Sequence, residues 1–462
     1  MKRCFCGHSS SKIKYFLVTH GIPEMFTVPS IPTFIKCLLF SSMDVPMVVN
    51  IDRLFSKRAT RLRASEIREL LKITQIPGMI SFAGGLPNPL AFPVDIINEC
   101  IEKIFQKDIK PALQYGTTEG FTPLRGVLAE RMKKNNHINC ELHDILITSG
   151  AQQALSLVAL CFLDPGDTYL TTAPAYLGAI QAFHTFEANC ETIPMNAEGI
   201  DIDSLRRNLE RLHRTGTNPK FIYTVPTFQN PSGETMSLSH RKKLLDIASE
   251  YDFLIVEDDP YGELRFEGEF IPPIKSLDTK GRVIYISTFS KILAPGFRLG
   301  WVIASKEILH KFIQTKQATD LCTNGFSQHI AYEYINGGYL DSHVERIKEL
   351  YKRKRDIMLK ALEEYFPSEV KWTMPKGGMF IWVTLPKSID TRLMFQKAIA
   401  KKVAYVVGEA FYPKGGNYNS MRLNFSYSED EIITEGIKRL AEVIHDELAS
   451  AYQQDTFPPE GV

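Results

Sequence analysis

The sequence predicts an α/β protein with a large domain built on a mainly parallel sheet and a smaller α/β domain. Three observations carry that expectation. The chain has 462 residues, more than one hydrophobic core commonly serves. Between about residues 144 and 305, short β-branched or apolar runs alternate with longer helical patterns, the signature of parallel strands flanked by helices. From Ser327 to about Tyr365 a charged, helix-periodic stretch follows, long enough to bridge two domains, and shorter strand-like runs resume beyond it.

Residues 1–46 stand outside the pattern. The apolar patches Tyr15-Phe16-Leu17-Val18 and Phe34-Ile35-Lys36-Cys37-Leu38-Leu39-Phe40 are short and interrupted by Lys, His, Gly and Pro. They fall below the roughly 20 apolar residues of a membrane span and do not build a signal peptide. Cys4, Cys6 and His8 resemble half of a zinc knuckle, but no second Cys/His pair follows at ligand spacing, so they read as a solvated tail and no metal is expected. With Met43 and Met47 just ahead of the first well-patterned segment, residues 1–46 read as a disordered N-terminal extension.

The first strand is Ile145-Leu146-Ile147-Thr148, followed by Gly150 and a helix through Ala154, Leu157, Val158 and Cys161. Thr168-Tyr169-Leu170-Thr171, Phe221-Ile222-Tyr223-Thr224-Val225, Phe253-Leu254-Ile255-Val256 and Val283-Ile284-Tyr285-Ile286-Ser287 read as further strands. Leu299-Gly300-Trp301-Val302-Ile303 is another, expected to run antiparallel to its neighbours. Helical segments such as Ser239 to Tyr251 fill the gaps. Val370 to Leu385, Val403 to Val407 and Met421 to Tyr427 read as strands of the smaller unit, closed by a helix from Glu429 to about Leu448.

Composition narrows the function. With 54 basic against 53 acidic residues the net charge is +1, so no global field draws the chain to nucleic acid or to anionic membrane, and a small-molecule partner is expected. Eight scattered cysteines suit a reducing cytoplasm better than a disulfide framework.

Polar residues collect just past the C-terminal ends of five predicted strands: Ser149-Gly150-Ala151-Gln152, Ala173-Pro174-Ala175-Tyr176, Pro226 to Gly233, Glu257-Asp258-Asp259-Pro260-Tyr261, and Ser287-Thr288-Phe289-Ser290-Lys291. In open α/β sheets ligands bind outside the carboxyl ends of the strands, so one crevice would gather all five groups. Each has a plainer reading. Gly150 suits a simple strand-to-helix turn, although a helix N-terminus beside Gln152 is also a phosphate site. Asp258 suits a turn cap, although a carboxylate at a sheet end is what keeps a pyridinium nitrogen protonated. Lys291 alone would be a solvated lysine. Beside Thr288, Ser290 and Arg298 it becomes an amine next to a phosphate cradle, with its pKa lowered by local charge or burial. Tyr176 and Tyr261 are readable as core aromatics. Arg422, inside the apolar run Met421-Arg422-Leu423-Asn424-Phe425, needs an anionic partner if buried.

Six segments together resemble fold-type I aminotransferases of class I/II: Phe82-Ala83-Gly84-Gly85-Leu86-Pro87-Asn88-Pro89, Thr148-Ser149-Gly150-Ala151-Gln152-Gln153, Asn230-Pro231-Ser232-Gly233, Glu257-Asp258-Asp259-Pro260-Tyr261, Ser290-Lys291 and Pro295-Gly296-Phe297-Arg298-Leu299-Gly300. Within that class the chain is most similar to the branch of 2-aminoadipate, kynurenine and aromatic amino-acid aminotransferases, over roughly residues 50–450. The resemblance implies the aspartate aminotransferase-like fold with a seven-stranded main sheet. It implies a large cofactor-binding domain over 93–326, and an N-terminal arm with a small domain formed by 47–92 and 327–450.

The same resemblance implies pyridoxal 5′-phosphate, held by Lys291 as a Schiff base, with Asp258 on the ring nitrogen. Asn230 and Tyr261 are expected on the phenolic oxygen and Tyr176 stacked on the ring. Gly150, Ala151 and Gln152 at the helix N-terminus, with Thr288, Ser290 and Arg298, are expected on the phosphate. Tyr115, in Leu113-Gln114-Tyr115, matches a tyrosine that reaches the phosphate from the neighbouring subunit, which implies a homodimer with shared sites. Arg422 is expected to clamp the substrate α-carboxylate with help from Asn230, Gly85 to approach the substrate through its backbone, and Arg68 to meet an acidic or polar side chain. Ala151 departs from the serine common in relatives, and Thr227-Phe228-Gln229 lies where relatives vary.

The expected reaction is transfer of an amino group from an L-amino acid of 2-aminoadipate, aromatic or branched-chain type to a 2-oxo acid, 2-oxoglutarate first among acceptors. In it Lys291, displaced from the cofactor, acts as general acid and base, and kinetics are ping-pong. Rival readings are a C–S lyase or decarboxylase on the same scaffold, and a cofactor-sensing transcription regulator. The last needs a helix-turn-helix that residues 1–50 are too short and too poorly periodic to supply.

Overall fold

The computed structural model describes residues 51–61 and 76–456. The expected extension over 1–46, the group Cys4, Cys6 and His8, and Arg68 lie outside the described residues. The chain divides into two compact units, Met1–Phe55 and Ser56–Val462. The described part of the first contains a single 3-10 turn, Ile51–Leu54.

The second unit is organised on one large sheet. After a two-residue strand β1 (Ile80–Ser81) come β2 (Ile145–Thr148), β3 (Thr168–Ala173), β4 (Asn189–Asn196), β5 (Gly199–Ile200), β6 (Phe221–Thr224), β7 (Leu254–Asp258), β8 (Val283–Thr288) and β9 (Gly300–Ile303). Strands β2 to β9 form this sheet, in the order β2-β9-β8-β7-β6-β3-β4-β5. β4, β3, β6, β7 and β8 are parallel neighbours, while β9 is antiparallel to both β8 and β2, as the sequence predicts. β2 therefore points the same way as the parallel set. Seven of these strands make up the expected sheet, and the two-residue β5 extends it as an antiparallel addition to β4. β6 and β8 are buried along their whole length, which is why they read as continuous apolar runs. β4 escaped the sequence reading because it lies near the sheet edge and carries Asn, Glu and Thr at exposed and half-buried positions.

The charged stretch after Ser327 is two helices rather than one, Gly325–Asn336 and Tyr339–Tyr365. The break falls at Gly337-Gly338, where Gly338 takes φ +76°, a left-handed conformation that costs glycine no Cβ clash. A second, antiparallel sheet contains β10 (Lys371–Trp372), β11 (Phe380–Thr384), β13 (Val406–Val407) and β14 (Ser420–Asn424) in the order β10-β11-β14-β13. β12 (Val403–Ala404) pairs in parallel with β1. The closing helix, Asp430–Thr456, packs on Tyr339–Tyr365. Among the described residues no helix is long and apolar enough to cross a membrane.

Candidate active site

Because β2, β3, β6, β7 and β8 share one direction, the residues just past their carboxyl ends converge on one side of the sheet. There they line a cavity of about 250 Å³. Ala151, Gln152, Tyr176, Asn230, Asp258, Tyr261, Thr288, Ser290, Lys291 and Arg298 line it from the large sheet, Arg422 from β14, and Gly85 from the segment after β1.

Lys291 follows β8 and is half-buried. Its Nζ donates to the Gly85 carbonyl at 2.7 Å. Burial, reinforced by the positive charges of Arg422 and Arg298, lowers its pKa to about 8, so a substantial share of the amine is neutral near physiological pH. Asp258 ends β7 and is 3% exposed. Its Oδ2 accepts from the Tyr223 hydroxyl at 2.8 Å, while Oδ1 is buried with no protein partner. Burial pushes this carboxyl up to about 7; the Tyr223 hydrogen bond opposes that rise and the neighbouring Asp259 adds to it. Burial, and then the Asp258 charge, raise the Tyr176 phenol.

Arg422 lies opposite Trp382 of β11 and Val406 of β13, and is 1% exposed. Nη1 donates to Asn230 Oδ1 at 2.8 Å and Nη2 to the Ala83 carbonyl at 2.8 Å. The guanidinium lies over the rings of Phe380 (4.2 Å) and Phe411 (5.1 Å). Its Nε is buried without a partner, and burial lowers its pKa to about 10. A buried guanidinium held by neutral acceptors alone is costly unless an anion completes it. Asn230 also donates through Nδ2 to the Tyr261 hydroxyl at 3.3 Å, and the Tyr261 ring meets Phe380 edge-on at 5.8 Å.

The anion-binding corner forms where β2 enters the helix Ala151–Phe162. Gly150 is its N-cap at φ +79°, and a Cβ there would stand 2.7 Å from Arg298 Nη2, so only glycine lets the guanidinium lie against the turn. A Cβ at Gly300 would lie 2.8 Å from the Ala151 nitrogen, so this glycine lets the helix start rest directly on β9. Arg298, itself at φ +51°, donates from Nη2 to the Ser149 carbonyl at 3.4 Å. The Thr288 hydroxyl stands 2.9 Å from Ser290 Oγ. Gly150 thus supports the corner from behind and does not itself line the cavity.

Besides Gly150, Tyr115 is an expected residue that does not line the cavity of the single chain; it is 79% exposed. Arg68 is outside the described residues. Two supporting groups went unread in the sequence. Tyr223 lies inside an apolar strand run that marks it as core. Asp320 accepts from Ser149 Oγ (3.2 Å), Gln153 Nε2 (2.6 Å) and the buried Lys316 Nζ (2.6 Å), and so fixes the turn before the helix. Nothing in its local sequence signals this, since its partners Ser149 and Gln153 are 171 and 167 residues away. Phe228 and Gln229, where relatives vary, are both buried; Gln229 donates to the Pro174 carbonyl at 2.8 Å and accepts from the Ser232 amide at 2.7 Å, bracing the loop that carries Asn230.

The aminotransferase class I and II family matches residues 89–440 of the sequence. The chain belongs to this family. It is 54% identical over 410 residues to the aromatic-amino-acid aminotransferase 1 of Thermococcus litoralis, covering 89% of this chain and 98% of that protein. The kynurenine aminotransferase of Pyrococcus horikoshii, solved in complex with PMP, is 53% identical with a TM-score of 0.84, over 87% of this chain and 99% of its own. The alpha-aminoadipate aminotransferase of Thermus thermophilus, solved with N-(5′-phosphopyridoxyl)-L-leucine, is 40% identical with a TM-score of 0.80, over 86% of this chain and 99% of its own. The enzyme is a pyridoxal-5′-phosphate-dependent aminotransferase on the aspartate aminotransferase-like fold, acting on an amino acid and a 2-oxo acid.

The cavity suits that cofactor on its own chemistry. It offers an amine of lowered pKa for an aldehyde, an unpartnered buried carboxylate oxygen for a ring nitrogen, and a helix N-terminus with a guanidinium and two hydroxyls for a phosphate.

Proposed function

We propose that the enzyme transfers the amino group of an aromatic or 2-aminoadipate-type L-amino acid to 2-oxoglutarate. The observation that carries this reading is Arg422: a buried guanidinium with an unpaired Nε, facing the same cavity as the amine of Lys291. It fits a substrate α-carboxylate, which completes its hydrogen bonds while the substrate α-carbon lies near Lys291. The close relatives named for aromatic amino acids, kynurenine and aminoadipate support that donor class.

In this reading Lys291 would bond the cofactor aldehyde carbon, Asp258 would hold the ring nitrogen, Asn230 and Tyr261 would donate to the phenolic oxygen, and Tyr176 would cover the ring. The Ala151 and Gln152 amides, Thr288, Ser290 and Arg298 hold the phosphate, with Gly150 shaping the turn. The bound cofactor supplies an electron sink for the bond broken at the substrate α-carbon. Lys291 Nζ would take up and give back the substrate α-proton as general base and acid; a pKa of about 8 suits both directions. Gly85, whose carbonyl holds Nζ at 2.7 Å, keeps the amine aimed at the cavity. Tyr115 is assigned to the phosphate of a partner subunit, which makes the working unit a homodimer, and its exposure in the single chain agrees with that role. Arg68 is assigned to the substrate side chain by resemblance alone. The domain division at 93–326 against 47–92 with 327–450 belongs to the same reading, as does a cytoplasmic location.

A donor screen against 2-oxoglutarate, read as oxo-acid formation, tests the proposal. Activity with aromatic donors and 2-aminoadipate is expected, together with stoichiometric aminated cofactor when a donor is supplied alone. If all of these donors are inert, the substrate assignment fails.

A further inference from the structure

We propose that Tyr223 is a positioning residue for this reaction: its hydroxyl orients Asp258 and keeps the ring-nitrogen proton of the bound cofactor on the ring. The inference rests on the reading that Asp258 faces that nitrogen.

The geometry begins with strand register. In the parallel β6–β7 pair, Tyr223 is matched to Val256. Asp258, two residues further on, points to the same face of the sheet. The length of a phenol spans that step, and the hydroxyl reaches Asp258 Oδ2 at 2.8 Å. The ring is locked in place: Tyr223 is 1% exposed, and Phe183 meets it edge-on at 5.6 Å. A phenylalanine would fill the same space, so the hydroxyl group itself requires a reason.

Two consequences follow from the bond. It occupies one carboxylate oxygen and leaves the other, Oδ1, as the acceptor without a protein partner. It also favours the ionised carboxylate. The other forces on Asp258, burial and the adjacent Asp259, both favour the protonated form, so Tyr223 is the group among its described neighbours that draws it toward the anion. Tyr176 and Tyr261 also face Asp258; burial foremost, with the Asp258 charge adding to it, pushes both phenols up. A carboxylate of higher proton affinity would compete with the cofactor for the shared proton, and a neutral ring is a weaker electron sink.

The sheet contains its own control. Tyr285 of β8 is matched to Glu257, and by the same step its hydroxyl reaches Asp259 Oδ2 at 2.9 Å. Asp259, however, does not line the cavity.

The test is the ring-nitrogen NMR shift of holoenzyme reconstituted with 15N-labelled pyridoxal 5′-phosphate at neutral pH. Wild type is expected at the protonated position. Tyr223→Phe is expected to shift toward the unprotonated position, with kcat lowered and the cofactor Kd raised, each roughly 10-fold as befits one hydrogen bond to a charged group. Tyr285→Phe is expected to produce no shift toward the unprotonated position. Should Tyr223→Phe fail to fold, 3-fluorotyrosine at position 223, a more acidic donor of nearly the same shape, is expected to hold the resonance at the protonated position to a higher pH than wild type, and an unchanged pH range overturns the proposal. An unmoved resonance in Tyr223→Phe, or an equal movement in Tyr285→Phe, overturns the proposal. Asp258→Asn separates the two levels: if it leaves the ring nitrogen unchanged, the assignment of Asp258 fails; if it changes the ring nitrogen while Tyr223→Phe does not, the role of Tyr223 alone fails.

Discussion

Replacing Arg422 with lysine keeps the positive charge and removes the planar fork, which isolates the geometric part of carboxylate capture. In the structure Nη1 and Nη2 are fixed by Asn230 Oδ1 and the Ala83 carbonyl, each at 2.8 Å, and the plane is held over Phe380 at 4.2 Å. Lysine cannot donate two parallel bonds from that position. A charge-assisted hydrogen bond contributes about 1.5–3 kcal/mol. Losing one of the pair should therefore lower kcat/KM for the amino donor roughly 10- to 150-fold. The retained charge leaves the field on Lys291 nearly unchanged, so cofactor affinity should hold within about twofold, a shift below 0.5 kcal/mol. Single-turnover conversion of the holoenzyme by an amino acid alone, followed by absorbance, yields the first quantity, and equilibrium dialysis of the cofactor the second. A variant with unaltered kcat/KM, or one whose loss is entirely a loss of cofactor, would refute the placement of the substrate carboxylate on Arg422.

Cofactor uptake by the apoenzyme should accelerate as pH rises through about 8, because the lowered pKa of Lys291 releases its proton there rather than at the ordinary 10.5; stopped-flow rates with a midpoint near 10.5 would contradict this. Gly150→Ala places a Cβ 2.7 Å from Arg298 Nη2 at a φ of +79°. The strain of about 1–2 kcal/mol should weaken the cofactor Kd measurably, while KM for the donor at saturating cofactor stays the same. Asp320→Asn removes the counter-charge of Lys316, whose side chain is 0% exposed against 28% for Asp320. Denaturant melts should register a loss of about 2 kcal/mol, reduced from the fully buried case by the partial exposure of Asp320. Cofactor affinity should fall with it, since Ser149 and Gln153 lose their anchor.

Much of this site is legible in the sequence because the inner strands are buried on both faces. Polar residues just past such a run, such as Asp258 beyond Leu254-Ile255-Val256 or Lys291 beyond Val283-Ile284-Tyr285-Ile286, stand out against the apolar background. Arg422 is conspicuous for the same reason within β14. Groups hidden inside a run are not. Tyr223 is chemically distinct from Phe221 by one oxygen, and only the parallel register, which no local pattern encodes, brings that oxygen to Asp258. Long-range pairs are silent as well: Arg422 and Asn230 are 192 residues apart. The helix break at Gly337-Gly338 has a local signal in the glycine pair itself, which the reading of one long helix passes over; β4 is silent because a strand near an edge need not alternate. Tyr115 illustrates a different limit, since a residue assigned to a partner's site has no reason to approach its own.

Borohydride reduction of the cofactor-loaded enzyme, followed by mass mapping of its peptides, tests the covalent claim directly. A single pyridoxyl adduct on Lys291, absent from the Lys291→Ala variant, is the expected result. An adduct on another lysine, or none at all on an enzyme that still transaminates, would contradict the account.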